Sequence, residues 1–93
     1  MENPVSVRAI VYGRVQGVFF RAFVEEHAQR LGLVGYVRNL PSDAVEVVAE
    51  GEREQVNKLV ERLKTGPPPA IVDRVEISWS EYTGDHSGFR VRY

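Results

Sequence analysis

The chain has 93 residues, 43% hydrophobic, 27% charged and 10% aromatic, with a formal net charge of -1. These proportions predict one globular domain over residues 1–93, large enough to bury a core without staples. The absence of cysteine excludes disulfides, thiolate catalysis and cysteine-ligated zinc or iron–sulfur centres. No apolar run approaches the roughly 20 residues of a membrane helix. Met1-Glu2-Asn3-Pro4 carries neither the basic nor the apolar region of a signal peptide, so a cytoplasmic location is expected.

Charge is unevenly spread. From Asn3 to Ser42 the only acids are Glu25 and Glu26, while Arg8, Arg14, Arg21, Arg30 and Arg38 are all basic. Arginine grips phosphate or carboxylate in a fork, which directs the search for an anion site to the first half of the chain. The overall balance argues against a dedicated nucleic-acid or membrane-surface binder, which needs a broad basic face.

Val5, Val7, Ala9 and Val11 alternate with Ser6, Arg8, Ile10 and Tyr12, predicting a half-buried strand. It runs into Gly13-Arg14-Val15-Gln16-Gly17, a turn with two glycines. Phe20, Phe23, Val24, Ala28 and Leu31 then share one helical face, and Gly32 is placed to end that helix in a left-handed conformation. Val34 to Leu40 reads as a second strand, closed by Pro41-Ser42-Asp43. Val45, Val47 and Ala49 alternate with Glu46, Val48 and Glu50 in a third, and the short link predicts a hairpin. On this pattern Glu46 and Glu50 are expected on a solvated face.

After Gly51, the stripe Val56, Leu59, Val60, Leu63 predicts a second helix, stopped by Gly66 and Pro67-Pro68-Pro69. Arg74 to Trp79 alternates as a fourth strand. Thr83-Gly84-Asp85 reads as a turn, and Phe89 to Tyr93 as a short last strand. The order β-α-β-β-α-β plus a terminal strand predicts an α+β fold. In it two helices pack on one face of a largely antiparallel four- to five-stranded sheet, the ferredoxin-like plan.

Gly13 to Arg21 joins a strand to a helix. Unpaired N–H groups and the helix dipole favour an anion at such a junction, and Gly13 and Gly17 permit the backbone turns that aim N–H groups inward. A simple structural turn fits the same residues, and they leave both readings open. No Gly-Lys-Ser or Gly-Lys-Thr follows, so this is not a nucleotide P-loop. A crossover helix makes the first two strands parallel, so Asn39, near the end of the second, falls at the same sheet edge as the loop. Its amide can donate and accept there, or serve only the turn. His27 and His86 have no partners at metal-ligand spacing. Phe19, Phe20 and Phe23 read as core and lip residues.

The segment Val11-Tyr12-Gly13-Arg14-Val15-Gln16-Gly17-Val18-Phe19-Phe20-Arg21 resembles the first signature of the acylphosphatases. Gly35-Tyr36-Val37-Arg38-Asn39, followed by Val45 and Gly51, resembles the second. Element order and length resemble that family over the whole chain. The second signature departs at Asp43, where the family usually has glycine; aspartate tolerates a left-handed turn, so the hairpin is expected to survive.

The resemblance implies hydrolysis of acyl phosphates by a monomer, with inorganic phosphate as product ligand and no cofactor, metal or covalent intermediate. It implies that Arg21 binds the phosphate with the backbone of Val15, Gln16, Gly17, Val18, Phe19 and Phe20, while Asn39 orients the attacking water. Few side chains are available to read the acyl group, which implies loose selectivity. Related domains within larger hydrogenase-maturation proteins handle carbamoyl phosphate; a free-standing enzyme is the expectation for a chain of this length.

Two other classes fit parts of the pattern. A non-catalytic phosphate- or acyl-phosphate-binding regulatory module uses the same loop but has no need of Asn39. RNA binding through Tyr12 and Tyr36 on the sheet lacks the paired aromatic motifs of RNA-recognition modules. No nucleic-acid or membrane partner is expected.

Overall fold

The computed structural model describes residues 2–93. The elements are β1 (Pro4–Arg14), α1 (Phe20–Arg30), β2 (Val34–Asn39), β3 (Val45–Glu52), α2 (Arg53–Thr65), β4 (Ile71–Glu81) and β5 (Phe89–Val91). They form one five-stranded sheet in the order β4-β1-β3-β2-β5. β1 pairs antiparallel with β3 and β4, and β2 antiparallel with β3, while β5 pairs parallel with β2. No helix among the described residues is long and apolar enough to cross a membrane.

Alternation decides which face of the sheet the helices cover. In the β1–β3 register Val7 lies opposite Ala49, Ala9 opposite Val47 and Val11 opposite Val45. All six are buried in the core, because residues paired across an antiparallel ladder point to the same face. The predicted helical stripes supply the other half. Phe20, Val24 and Ala28 of α1 and Val56, Leu59, Val60 and Leu63 of α2 are buried against the sheet. Helix α1 ends as its sequence predicts: Gly32 has φ 71°. Its N–H donates to Gln29 O at 3.1 Å and the Leu33 N–H to Ala28 O at 2.9 Å, the Schellman pattern.

Several strand boundaries differ from the sequence reading. β1 and β4 run longer, to Arg14 and from Ile71, because their pairing continues through a bulge at Tyr12/Gly13. β5 stops at Val91, where its pairing with β2 ends. The β2–β3 turn forms with Asp43 at φ 69°, and the Leu40 N–H closes it on Ala44 O at 2.8 Å. The left-handed position is thus occupied by aspartate.

The solvated face predicted for Glu46 and Glu50 is not found. They are 2% and 1% exposed. Glu46 accepts hydrogen bonds from Arg8 Nε and Arg38 Nε, both at 2.6 Å. Glu50 accepts from the Thr83 hydroxyl at 2.8 Å, the Thr83 N–H at 3.2 Å and the Gly84 N–H at 3.1 Å. Thr83-Gly84 is therefore not a free turn; it closes over the outer face of the sheet. Alternation gave the correct face, but the chain after β4 and two arginines cover it.

Burial pushes the Glu46 carboxyl up, yet the hydrogen bonds and charges of Arg38 and Arg8 outweigh it and hold it below 4.5. Burial pushes Glu50 up likewise, and its bonds from Thr83, Ser6 and Gly84 hold it below 4.5. A carboxyl depressed in the folded state adds stability above its unfolded pKa and loses it as pH falls through the folded value. Urea unfolding should therefore weaken from about pH 5 downward through the carboxylate range. Glu46→Gln should cost about 1–3 kcal/mol at pH 7, and the gap to wild type should close as the solution is acidified. Parallel stability–pH curves for the two proteins would contradict this.

Candidate active site

The strand-to-helix junction predicted from the sequence lies at the mouth of a cleft of about 400 Å³. Val15, Gly17, Phe19, Phe20 and Arg21 line one part of it and Asn39 another. Topology brings them together. β1 and β2 both pair antiparallel with β3, so they run parallel and their C-terminal ends share one edge. Val11 and Asn39 both lie opposite Val45. Asn39 thus points to the helix-covered face, beneath the start of α1, while its neighbour Arg38 points to the outer face and Glu46.

Two side chains of the loop are core anchors. Val15 and Phe20 are each 1% exposed, so these positions offer the cleft backbone groups in the main. Between them the backbone alternates in hand: Gly17 has φ 73° and Phe19 φ 62°, whereas Val18 is not among the positive-φ residues. Such alternation turns successive N–H groups toward one concave side. Glycine takes this conformation without cost at 17. A bulky residue at 19 does so only under strain of order 1–3 kcal/mol. Phe19 is also the N-cap of α1, and no side chain caps that end. Among the described residues, no backbone N–H from Val15 to Phe20 donates to another backbone group. The positive end of the helix and its unpaired donors face the cleft together.

Arg21, in the first turn of α1, is half-buried and lines the cleft. Its guanidinium lies 4.9 Å from the centre of the Tyr93 ring. Of the five arginines in the first half, Arg8 and Arg38 bind Glu46 and Arg30 binds Glu26. Arg21 is the one in the cleft. Asn39 Oδ1 is buried without a hydrogen-bond partner, an arrangement that costs free energy unless something fills it.

Other candidates lie elsewhere. His27 packs on Phe23 at 4.4 Å between ring centres, and His86 lies 6.0 Å from the Tyr36 ring. The Tyr12 and Tyr36 rings are covered by Arg74 at 4.0 Å and Arg92 at 3.8 Å. Those faces are already stacked, which disfavours the base-stacking reading.

Three contributions escaped the sequence reading. The Gln16 side chain reaches across to the β2–β3 turn, its Nε2 donating to Leu40 O at 2.8 Å and Ala44 O at 2.9 Å. It ties the loop to the segment just after Asn39. A lone amide in a glycine-bracketed loop was the available signal, but its partners lie more than twenty residues away. Tyr93 on Arg21, and Phe19 in a left-handed conformation, had no signal at all.

The chain is similar to known proteins over nearly its whole length. The family model described as Acylphosphatase matches residues 7–91. An acylphosphatase from Caldivirga maquilingensis is 52% identical over 94 aligned residues, covering 100% of this chain and 99% of that protein. Among solved structures, the Bacillus subtilis acylphosphatase superposes with a TM-score of 0.92 at 37% identity, covering 96% of this chain and 99% of its own. An acylphosphatase from Coxiella burnetii gives 0.91 at 44% identity, covering 98% and 95%. Fold and family together define a small ferredoxin-like hydrolase. The chain belongs to the acylphosphatase family, whose members act on small acyl phosphates, and acyl-phosphate hydrolysis is its enzymatic activity.

The Gln16 tie carries a prediction. Gln16→Ala should lower unfolding stability by about 1–2 kcal/mol, two part-buried hydrogen bonds at typical net value. Gln16→Glu keeps the shape but sets an acceptor against two carbonyls, so it should cost more than alanine in urea titrations at pH 7. An equal or smaller loss in Gln16→Glu would show that the amide donors are not what hold the loop.

Proposed function

We propose that the cleft hydrolyses acyl phosphates by direct attack of water on phosphorus, with no metal and no covalent enzyme intermediate. Arg21 and the backbone N–H groups of Val15, Gln16, Gly17, Val18, Phe19 and Phe20 hold the phosphoryl oxygens. Asn39 Oδ1 accepts a hydrogen bond from the water and fixes its approach. The new P–O bond forms as the bond to the acyl oxygen breaks, and the carboxylate leaves. The water's proton passes to a phosphoryl oxygen of the substrate, giving carboxylate and inorganic phosphate.

The observation that carries this reading is the orphaned Asn39 Oδ1, in the cleft that Arg21 and the unpaired loop donors also line. A buried acceptor without a donor fits a place for a water. Asparagine has no proton to exchange near neutral pH, so its role is positional. That suffices, because an acyl phosphate is a mixed anhydride with a good leaving group. Orientation and stabilisation of developing charge are what the reaction requires. A pure phosphate-binding module would have no use for Asn39.

The test is hydrolysis of benzoyl phosphate by purified protein in excess EDTA. Wild type should turn over unaffected by the chelator. Arg21→Ala should lose at least about 10²–10³ in kcat/KM, the cost of removing an oxyanion-type donor, and bind inorganic phosphate more weakly. Asn39→Ala should lose kcat while inorganic phosphate still inhibits at near wild-type concentration. Near-normal turnover in Asn39→Ala would overturn the water-positioning role. A folded wild type that binds phosphate without turnover would leave the regulatory-module reading.

A further inference from the structure

We propose that the outer face of the sheet carries a second anion site, built from Arg8 and Arg38 around Glu46, which takes a phosphate-type dianion, free or as a monoester. It lies on the opposite side of the sheet from the catalytic cleft and is independent of the acyl-phosphate reaction.

Strand register assembles the parts. Arg38 of β2 lies directly opposite Glu46 of β3. Glu46 also lies opposite Ile10 of β1, and Arg8 is the neighbouring residue on the same face of that strand. Both guanidiniums therefore reach one carboxylate, and each does so through Nε, at 2.6 Å. Among the described residues neither guanidinium makes another hydrogen bond. A guanidinium carries its donors in a rigid fork, so the terminal nitrogens of both stay unclaimed. The two side chains are 55% and 44% exposed, while the carboxylate between them is buried. Glu46 thus anchors the pair from below and leaves its outer edges open. Side chains fixed in advance lose less entropy when a ligand binds. Val48, half-buried, lies opposite both Arg8 and Tyr36 and floors the space between them.

Charge and shape select the ligand. Two guanidiniums against one carboxylate leave a net positive charge. Tyr36, on the same face of β2 as Arg38, lies opposite Arg90, and its ring carries the Arg92 guanidinium at 3.8 Å. Arg90 and Arg92 take part in none of the ion pairs among the described residues, so they extend the positive arc. The neighbouring acids are occupied: Glu50 by Thr83 and Gly84, and Glu76 by the Tyr12 hydroxyl at 2.9 Å and Arg74. A carboxylate has two oxygens and fills one fork. A tetrahedral dianion has oxygens enough for two forks at once. With the Tyr36 ring already stacked on Arg92, the arc reads phosphate and not a base. Beyond Tyr36 lies a hollow of about 350 Å³, lined by His86, Arg90 and Arg92 with Asp85 as its one carboxylate. It has room for the organic part of a monoester.

The test is heteronuclear NMR titration of wild type and Arg21→Ala with inorganic phosphate and, separately, phenyl phosphate. Chloride balances the ionic strength, at about pH 8, where phosphate is mainly a dianion. Wild type should show two sets of saturable shifts, one over the loop from Val15 to Phe20 and one over Arg8, Tyr36, Arg38 and Val48. The outer set should persist in Arg21→Ala. Tighter binding of phenyl phosphate there assigns the site to monoesters, and tighter or equal binding of inorganic phosphate assigns it to the free anion. Arg8→Lys and Arg38→Lys keep the charge and a partner for Glu46 but lose the fork. Each should weaken phosphate at the outer site about three- to tenfold and leave the loop shifts unchanged. Absence of outer shifts in wild type, or their loss in Arg21→Ala, overturns the site, as does undiminished affinity in both lysine variants. Should the lysine variants fail to fold, Arg90→Gln at an exposed position decides. Affinity about two- to threefold weaker supports the arc, and unchanged affinity overturns it.

Discussion

Backbone N–H groups can hold an anion only if nothing else in the protein claims them. From Val15 to Phe20 no other group among the described residues does. A buried or half-buried donor without a partner costs free energy, so this segment would collapse into ordinary turns if it were free to move. It is pinned on both sides. Val15 and Phe20 are sunk in the core, and the Gln16 amide fastens the loop to the carbonyls of Leu40 and Ala44. Sheet pairing holds those carbonyls in turn, since the same hairpin carries Asn39 at its end. The loop and Asn39 are therefore two ends of one braced unit. The orphaned Oδ1, the strained Phe19 and the uncapped helix start all fall within it. A ligand bound there would repair them.

The outer face of the sheet does the opposite work. There the two buried carboxylates are both satisfied. Glu46 sits in β3 between Arg8 of β1 and Arg38 of β2, so one carboxylate bridges three strands. Glu50 gathers the chain after β4 onto the same face. The consequence reaches the cleft. With Arg8, Arg30 and Arg38 bound to carboxylates, the first-half arginines that remain are Arg14, which is exposed, and Arg21, which lines the cleft. A single uncompensated guanidinium beside directed N–H groups suits one phosphate, where a broad basic face would suit a polyanion.

Much of this was legible in the residues. Period-2 and period-3.6 patterns gave all the elements in order; the fold buries the apolar faces of β1, β3, α1 and α2, while that of β4 is only partly covered. The crossover argument brought Asn39 to the loop, because parallel strands must end at the same edge. The motif resemblance singled out Arg21 and Asn39. Alternation could not tell that Glu46 and Glu50 are buried. It assigns a face to a side chain but does not say whether another segment covers that face, and here Thr83-Gly84 does so from more than thirty residues away. For the same reason Gln16 read only as part of a loop, and Tyr93 as the end of a strand. Their partners are set by tertiary closure, which no local period encodes.

On the proposed reading the two ends of the cleft differ in kind, and the chemistry of the substrate explains why. The phosphoryl end must stabilise a charge that shifts during reaction, which requires donors fixed in advance by a rigid frame. Backbone groups anchored by core side chains meet that demand better than flexible lysines. The acyl end carries no developing charge beyond the departing carboxylate, so fixed geometry there would add little to the rate. The remaining wall of the cleft includes the exposed side chains of Phe19 and Tyr93. The few side chains around the acyl group therefore fit a broad range of substrates.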